Sequence, residues 1–362
     1  MAELADAHDS KSCGLTLMRV RPPPSAKMKQ YYIITFGCQA NLADSERIVR
    51  KLEIAGYQKT TKPELSDIII INACSVRQSA INRVYGQIKN LTNLKSQKLN
   101  LKIIVAGCVL EADKKKLLTK NKNIEFWYPD EYFDFVPLST NKDTAYIPIM
   151  TGCDNFCTYC AVPYTRGREH SRPVKDVIKD TKNAVKKGAK EIWLIGQNVN
   201  SYKYNFPRLL KTVNNIASDF KIYFMSSHPK DFSNELIKAI AESKKVSREI
   251  HLPVQSGDND ILKKMNRKYT TGQYENLIKK IRKIIPDVKI STDAIVGFPS
   301  ETKKQFQNTV KLFKKIGFAK AYIGKYSPRP GTIAAKKFKD NISIEEKKRR
   351  WQILNEITNS KK

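Results

Sequence analysis

Three cysteines in one short loop constrain the fold of this chain more than any other feature. Cys153, Cys157 and Cys160 are spaced C-x3-C-x2-C after the apolar run Tyr146–Met150, which predicts a strand leading into the loop. Three thiolates at this spacing can bind three irons of a 4Fe–4S cube and leave the fourth iron open to a small molecule. A zinc site needs four ligands, and no second C-x2-C pair completes one. A disulfide would leave one of the three cysteines unpaired.

A second set of cysteines lies in the first part of the chain, where strand and helix patterns alternate from Lys29 to about Asn141. Cys38, Cys74 and Cys108 each lie just past the carboxyl end of a predicted strand, and successive cysteines are separated by about one βα unit. Because the carboxyl ends of parallel strands share one edge, where ligands bind, we expect these thiols to meet there. The alternative is that they are small buried core residues, as cysteines often are. Three at one topological position favour a second 4Fe–4S cluster, again with one iron free.

The elements of this first part predict a Rossmann-like parallel sheet, an α/β arrangement. The run Ile68–Ile71 indicates a strand that is buried on both faces. The predicted strands are Tyr31–Phe36, Asp67–Asn72, Lys102–Ala106 and Ile124–Tyr128, and the predicted helices are Ser45–Ala55 and Gln78–Leu94.

The second part of the chain repeats strand and helix six times, which is fewer than the eight units of a closed barrel. We therefore expect an open (β/α)6 partial barrel with a lateral mouth wide enough for a large substrate. The predicted strands are Tyr146–Met150, Glu191–Ile195, Lys221–Ser226, Glu249–Val254, Lys289–Val296 and Ala321–Tyr326.

Polar residues follow these strands and form a predicted ring around the cluster, because the loops after the strands build the site in barrels of this kind. Taken singly, each could be a turn or capping residue. His228 precedes a proline and could order a turn or act as a catalytic base. The predicted cofactor-binding residues are Tyr159, Gln197, Asn198, Ser226, Gln255 and Asp293, and the candidates to hold RNA are Arg166 and Arg329, with Gln255 open to either role.

Length and charge bound the possible partners. The chain has 362 residues, which favours two domains. Its 66 Lys and Arg residues outnumber 35 Asp and Glu residues, for a formal net charge of +31. This balance favours a nucleic acid partner, although solvated lysines that reflect coding bias would give the same count. No apolar run reaches the ~18 residues of a membrane span. Seven cysteines suit a reducing compartment and metal ligation, so a cytoplasmic location is expected.

The ends of the chain differ from its middle. Residues 1–28 show no hydrophobic periodicity and read as a disordered leader or an upstream mis-start, and Cys13 within them receives no role. The predicted domains are then residues 29–141, residues 142–340 and a basic helix over residues 341–362. We expect that helix to dock on the barrel with its charged face in solvent.

The motifs resemble those of the methylthiotransferase family of radical S-adenosylmethionine enzymes, and specifically of its tRNA-modifying branch. The resemblance covers nearly all of Lys29–Ile357. It rests on TFGCQANLADSE, NACSVR and VAGC in the first part, and on GCDNFCTYCAVPYTRGREHSRP, IGQNVNSY, SSHP, HLPVQSG, STDAIVGFP and YSPRPGT in the second. The segments AVPYTRG, GQNVNSY and SSHP are most similar to enzymes that act on N6-isopentenyladenosine beside the anticodon.

The resemblance implies two 4Fe–4S clusters and two molecules of S-adenosylmethionine. The cluster on Cys153, Cys157 and Cys160 would generate a 5′-deoxyadenosyl radical, and the cluster on the other three cysteines would carry the sulfur that is methylated and delivered to C2 of the adenine. An unactivated aromatic C–H bond offers no acid–base handle, which is why a cofactor must supply radical chemistry. The implied partners are the anticodon stem-loop of tRNA and a reductant protein such as flavodoxin or ferredoxin, without a membrane.

One departure from the family is expected. Its members usually carry a small RNA-binding β-barrel of the TRAM type after the radical domain, and here no run of short alternating strands follows the basic helix. Two alternatives remain open. A sister enzyme would act on threonylcarbamoyladenosine in tRNA or on a ribosomal protein, and an inactive iron–sulfur protein would bind RNA without catalysis.

Overall fold

The computed structural model describes residues 28–97, 100–137 and 143–359. The predicted leader, with Cys13, lies outside the described residues apart from Met28, and the proposed domain limits stay predictions. No helix in these ranges is both long enough and apolar enough to span a membrane.

The first part of the chain forms a five-stranded parallel sheet in the order β2-β1-β3-β4-β5. Its elements are β1 (Gln30–Thr35), α1 (Gln39–Ile54), β2 (Gln58–Lys59), β3 (Ile68–Cys74), α2 (Gln78–Gln97), β4 (Lys102–Cys108), α3 (Glu111–Lys120) and β5 (Ile124–Phe126). The predicted Rossmann-like sheet is confirmed. Its helix α1 begins earlier than expected, and β3 and β4 each extend through their cysteine.

Strand β3 is buried throughout, as the isoleucine run predicts. Ile69 and Ile71 pack into the apolar core on one face of the sheet, whereas Ile68 and Ile70 pack into the core on the other. Successive side chains of a strand point to opposite faces, so four consecutive isoleucines pack into the apolar cores on both faces of the sheet.

The second part forms two three-stranded parallel sheets, ordered β6-β9-β10 and β11-β12-β13. A parallel bridge between Ile222 and Val246 joins the sheets into one six-stranded open barrel, as predicted. The strands are β6 (Thr144–Pro148), β7 (Met150–Thr151), β8 (His170–Ser171), β9 (Glu191–Ile195), β10 (Lys221–Phe224), β11 (Glu249–His251), β12 (Lys289–Val296) and β13 (Lys320–Lys325). The helices are α4 (Val162–Arg166), α5 (Val174–Lys186), α6 (Phe206–Asn214), α7 (Asn234–Glu242), α8 (Asn259–Lys264), α9 (Thr271–Ile284), α10 (Lys303–Ile316), α11 (Ile333–Lys337) and α12 (Ile344–Asn359).

The two parts meet through a buried ionic cluster. Asp180 on α5 lies 2.8 Å from an Arg172 guanidinium nitrogen and 3.5 Å from one of Arg47 on α1. The Arg47 side chain is fully buried and also donates to the Phe133 carbonyl at 3.1 Å. A buried charge is costly unless it is paired, so this cluster fixes α1 against the barrel.

Helix α12 covers the outer edge of the barrel. Asn359 accepts from the Ala321 amide at 3.1 Å and donates to the Ala321 carbonyl at 2.9 Å, while the Trp351 indole donates to the Ile323 carbonyl at 2.9 Å. These backbone groups belong to β13, the last strand of its sheet. The side chains of α12 therefore satisfy groups that an edge strand leaves unpaired.

The predicted docking of this helix is confirmed, but part of its charged face is not in solvent. Lys347 and Arg350 are buried, and they pair with Asp340 at 2.6 Å and with Glu301 at 2.7 Å. Basic residues that pair inside the protein do not contribute a free cationic surface for RNA.

Candidate iron–sulfur active site

The first cysteine triad gathers at one edge of the N-terminal sheet. Cys74 and Cys108 are the last residues of β3 and β4 and are direct partners in the strand register. Cys38 is the residue immediately before α1, which follows the neighbouring strand β1. Cys74 and Cys108 are buried, and Cys38 is exposed. The prediction that the strand order brings these three positions to one edge is thus confirmed.

Two asparagines tie this edge together, and the sequence analysis did not single them out. The Asn41 amide donates to Asn72 Oδ1 and to the Ala73 carbonyl, both at 2.9 Å. The Asn72 amide in turn donates to the Asn41 carbonyl at 2.7 Å and to Ser45 Oγ at 2.8 Å. The first turn of α1, which follows Cys38, is thereby bonded to the strand end that carries Cys74. Proximity of Asn41 and Asn72 to the cysteines within their motifs was the available signal.

Gly107, in β4, packs directly against this asparagine network, and only glycine fits there. Its φ is +87°, and a Cβ there would lie 2.2 Å from Asn72 Oδ1 and 2.6 Å from the Ala73 carbonyl oxygen. Both the backbone conformation and the available space exclude a side chain, so glycine directly precedes Cys108.

The second triad lies in one loop between β7 and β8, which pair antiparallel and close the loop at its base. Phe156 has a φ of 47°, a strained value for an aromatic residue. The Asn266 amide holds this bend by donating to the carbonyls of Asn155 and Phe156, both at 3.1 Å. The Cys160 amide donates to the Cys157 carbonyl at 2.9 Å. These bonds preorganise the cysteine loop on the barrel.

The chemistry of each triad, three free cysteines, suits a 4Fe–4S cube with one open corner. Among the described residues, no three His, Cys, Asp or Glu side chains converge on a point that would hold one metal ion. A 4Fe–4S cube binds each thiolate at a different iron, so its ligands are spread over three corners. Each triad supplies three cysteines and leaves one corner without a protein ligand. Burial raises the pKa of Cys108 and of Cys160 to about 12, so cluster binding must release protons there.

Each triad receives one buried arginine. Arg166 Nε donates to Cys108 Sγ at 2.8 Å, and Arg267 donates to Cys157 Sγ at 3.5 Å. Arg267 is held by its bonds to the Pro253 carbonyl at 2.8 Å and to the Tyr269 hydroxyl at 2.9 Å. Cationic donors of this kind stabilise thiolate ligands and the added negative charge of a reduced cluster.

A cavity of about 810 Å³ lies beside the barrel triad, with residues of both domains in its walls. It is lined by Val76–Ser79, which begins two residues after Cys74, and by Cys160 at the end of the barrel loop. Residues of β13 and α12 form another wall, including Tyr322 and Trp351. A planar base and a small-molecule cofactor bound in this cavity would lie beside Cys160 and beside the segment that follows Cys74.

The predicted cofactor-binding residues fall into two groups. Tyr159, Gln255 and Asp293 line the cavity. Gln255 has a φ of 69° and is fixed by backbone bonds to Asp293 and Ile295. Ser226 and the two other predicted residues are not among those that line it. Gln197 Oε1 and Asn198 Oδ1 are buried without a partner among the described residues, and the Asn198 amide donates to Asp231 at 2.8 Å. The cofactor roles of all six residues stay predictions.

His228 is held in one protonation state. Its Nδ1 accepts a bond from the Lys230 amide at 3.2 Å, and its Nε2 is buried without a partner among the described residues. Burial, followed by the charges of Arg267 and Lys230, lowers the His228 pKa to about 2. The imidazole is therefore neutral, with its proton on Nε2. This geometry makes His228 a turn residue that accepts a backbone hydrogen bond, and the lowered pKa disfavours the catalytic base alternative.

The two arginines that were predicted to hold RNA both cross between the domains. Arg166 pairs with Asp44 of α1 at 2.5 Å, and Arg329 pairs with Asp113 of α3 at 2.9 Å. Their side chains are 3% and 4% exposed, respectively. Arg329 also lines the cavity, so its substrate role stays a prediction. A contact between Arg166 and RNA would require the interface to open, and the structure argues against it.

Family models match both parts of the chain. Residues 147–313 match the Radical SAM superfamily, and residues 30–129 match the Uncharacterized protein family UPF0004. These ranges contain the second and the first cysteine triad, respectively.

Curated relatives match nearly the whole chain. The tRNA-2-methylthio-N(6)-dimethylallyladenosine synthase of Thermotoga petrophila is 40% identical over 90% of this chain and 80% of its own length. The Clostridium novyi enzyme of the same name is 42% identical over 91% of this chain and 81% of its own length.

Solved structures support the fold. The radical S-adenosylmethionine methyltransferase TsrM from Kitasatospora setae gives a TM-score of 0.62 at 12% identity, over 85% of this chain and 75% of that chain. The cobalamin-dependent S-adenosylmethionine radical enzyme OxsB gives a TM-score of 0.58 at 12% identity, over 92% of this chain and 55% of that chain. Identities this low indicate a shared architecture only.

Proposed function

We propose, from the premise that this chain belongs to the family of tRNA-2-methylthio-N(6)-dimethylallyladenosine synthases, that it adds a methylthio group to C2 of N6-(dimethylallyl)adenosine beside the tRNA anticodon. When bound, two 4Fe–4S clusters and S-adenosylmethionine would supply the electron, the radical and the methylthio group. The observation that carries the proposal is the cavity of about 810 Å³ that Cys160 lines together with residues 76–79, which follow Cys74.

The chain's own residues hold and shield the reactants in this proposal. Cys153, Cys157 and Cys160 bind one cluster, and Cys38, Cys74 and Cys108 bind the other. Tyr159, Gln255 and Asp293 would contact the cofactor in a cavity whose walls come from both domains. The target base must leave its stack to enter, at a cost of a few kcal/mol.

The proposed partners follow from the same reaction. The net charge of +31 attracts the phosphates of tRNA, although buried Arg166, Lys347 and Arg350 do not add to the exposed cationic surface. A flavodoxin or ferredoxin would supply electrons in the cytoplasm.

Nucleoside analysis tests the proposal. The chain is expressed in a host that makes N6-(dimethylallyl)adenosine but lacks its own methylthiotransferase, and tRNA nucleosides are measured by mass spectrometry. We expect the 2-methylthio derivative with the intact chain and none with Cys157→Ala. An unmodified nucleoside in both strains would overturn the proposal, and a methylthio group found on a ribosomal protein or on threonylcarbamoyladenosine would assign the sister activity.

A further inference from the structure

Arg166 joins the two cysteine triads through a very short stretch of chain. Helix α4 starts just after Cys160 and ends at Arg166, where Gly167 terminates it with a φ of +72°. The Arg166 guanidinium then reaches out of the barrel domain to Cys108 Sγ, 2.8 Å from its Nε. One end of this segment carries a ligand of the barrel triad, and the other end contacts a ligand of the N-terminal triad.

The Arg166 guanidinium is anchored on its other side. One of its terminal nitrogens lies 2.5 Å from Asp44 Oδ2, and both side chains are almost completely buried. A buried carboxylate fixes the planar guanidinium in a defined orientation, which leaves Nε–H aimed at the sulfur. Lysine has a single terminal ammonium and lacks this forked geometry, so it would not reproduce both contacts.

We propose that Arg166 is a positioning residue that raises the reduction potential of the N-terminal cluster by donating a hydrogen bond from the barrel domain to Cys108. This inference rests on the proposed function, because it takes the N-terminal triad to hold a 4Fe–4S cluster. Reduction adds negative charge to a cluster, and a cationic donor to a ligand sulfur stabilises that charge. The loop that holds the barrel cluster thus tunes the N-terminal cluster.

The structure supplies two matched controls. Arg329 also crosses the interface and is equally buried, but it pairs with Asp113 and Gln78 and donates to no cysteine in the described part of the chain. Arg329→Gln therefore weakens the interface without removing a thiolate contact. Arg267 donates to Cys157 of the barrel triad, so Arg267→Lys perturbs the other cluster by the same kind of contact.

The test is a potentiometric titration of the full chain, reconstituted with iron and sulfide and followed by electron paramagnetic resonance. The two reduction waves are assigned with the Cys38, Cys74 and Cys108→Ala triple variant. We expect Arg166→Gln to shift only the N-terminal wave to more negative potential, and Arg166→Lys to shift it less. Arg329→Gln should shift neither wave, and Arg267→Lys should shift only the barrel wave.

Defined outcomes separate tuning from a purely structural role. Unchanged waves in Arg166→Gln or Arg166→Lys, with full iron content, would overturn the inference, and so would an equal shift in Arg329→Gln. If the Arg166→Gln protein does not bind the N-terminal cluster, the Arg166→Lys protein is titrated instead, and an unchanged N-terminal wave there would overturn the inference. The readout needs no tRNA, so failure of tRNA modification with a shifted N-terminal wave would reject the proposed function and keep the role of Arg166.

Discussion

Cys153, Cys157 and Cys160 lie in one loop that is closed by the short antiparallel strands β7 and β8. In contrast, Cys38, Cys74 and Cys108 come together only when three neighbouring strands pair. The buried arginine of the barrel triad, Arg267, belongs to the same domain as its cysteine partner, whereas Arg166 reaches the other triad from across the domain interface. The barrel site is thus local and self-contained, and the N-terminal site depends on tertiary structure.

This difference implies that the two clusters differ in their sensitivity to changes at the domain interface. Separating the two domains should change the N-terminal cluster and leave the barrel cluster almost intact, because only the former has a ligand bonded to the neighbouring domain. The barrel cluster should tolerate the same change, since the barrel loop is anchored by Asn266 and Arg267 from its own domain.

Removing ligands gives the largest expected effect. Cys157→Ala should abolish 5′-deoxyadenosine release, because two thiolates do not hold a cube in its catalytic geometry. Replacing Cys38, Cys74 and Cys108 with Ala should lower the iron content from about eight to about four per chain and preserve that release. Iron analysis and mass spectrometry of reconstituted protein measure both quantities. Retention of about eight irons in the triple variant would refute the N-terminal assignment.

Breaking the ionic cluster at the interface should have the next largest effect. Asp180→Asn removes the carboxylate that pairs with both buried Arg47 and buried Arg172, and we expect a loss of about 3–5 kcal/mol in the free energy of unfolding. Glu242→Gln is the matched control, because its pairing with Lys211 is exposed and should contribute little to stability.

Denaturant titrations monitored at both cluster signals measure these losses. The N-terminal cluster should be lost at lower denaturant concentration than the barrel cluster in Asp180→Asn. Simultaneous loss of both would contradict the proposed difference between the sites.

Lowering the pH only to 5 should produce the smallest effect, at His228 beside the barrel site. Its folded pKa of about 2 lies below the ordinary value of 6.5, so only the unfolded chain takes up this proton as the pH falls below 6.5. The histidine therefore costs stability in acid, by up to about 1.4 kcal/mol per pH unit between those values, and has no such effect above pH 6.5.

Nuclear magnetic resonance of 13C-labelled histidine tests this directly. The His228 resonance, assigned by its absence in His228→Gln, should not move between pH 7.5 and pH 5. Exposed His170 supplies the internal control within the same spectrum. A titration of His228 with a midpoint near 6.5 would show that the imidazole is accessible and would reopen its role as a base.

Local patterns predicted the fold and both triads, because strand periodicity and cysteine spacing are properties of short segments. The isoleucine run gave β3 its two buried faces, and strand order alone placed Cys74 beside Cys108. The burial and the partners of the two arginines could not be predicted in the same way. Arg166 and Arg329 resemble exposed loop cations in sequence, and only the docking of two domains shows that Asp44 and Asp113 neutralise them.

Helix α12 also protects the protein from self-association. A bare edge strand offers a row of free amides and carbonyls on which a second molecule can add a strand, and this is a common route to aggregation. Here, Asn359 and Trp351 occupy those groups on Ala321 and Ile323 of β13. Recombinant versions of this chain that stop short of Asn359 should therefore lose yield to precipitation before they lose their fold, and the helix is best kept whole in any expression strategy.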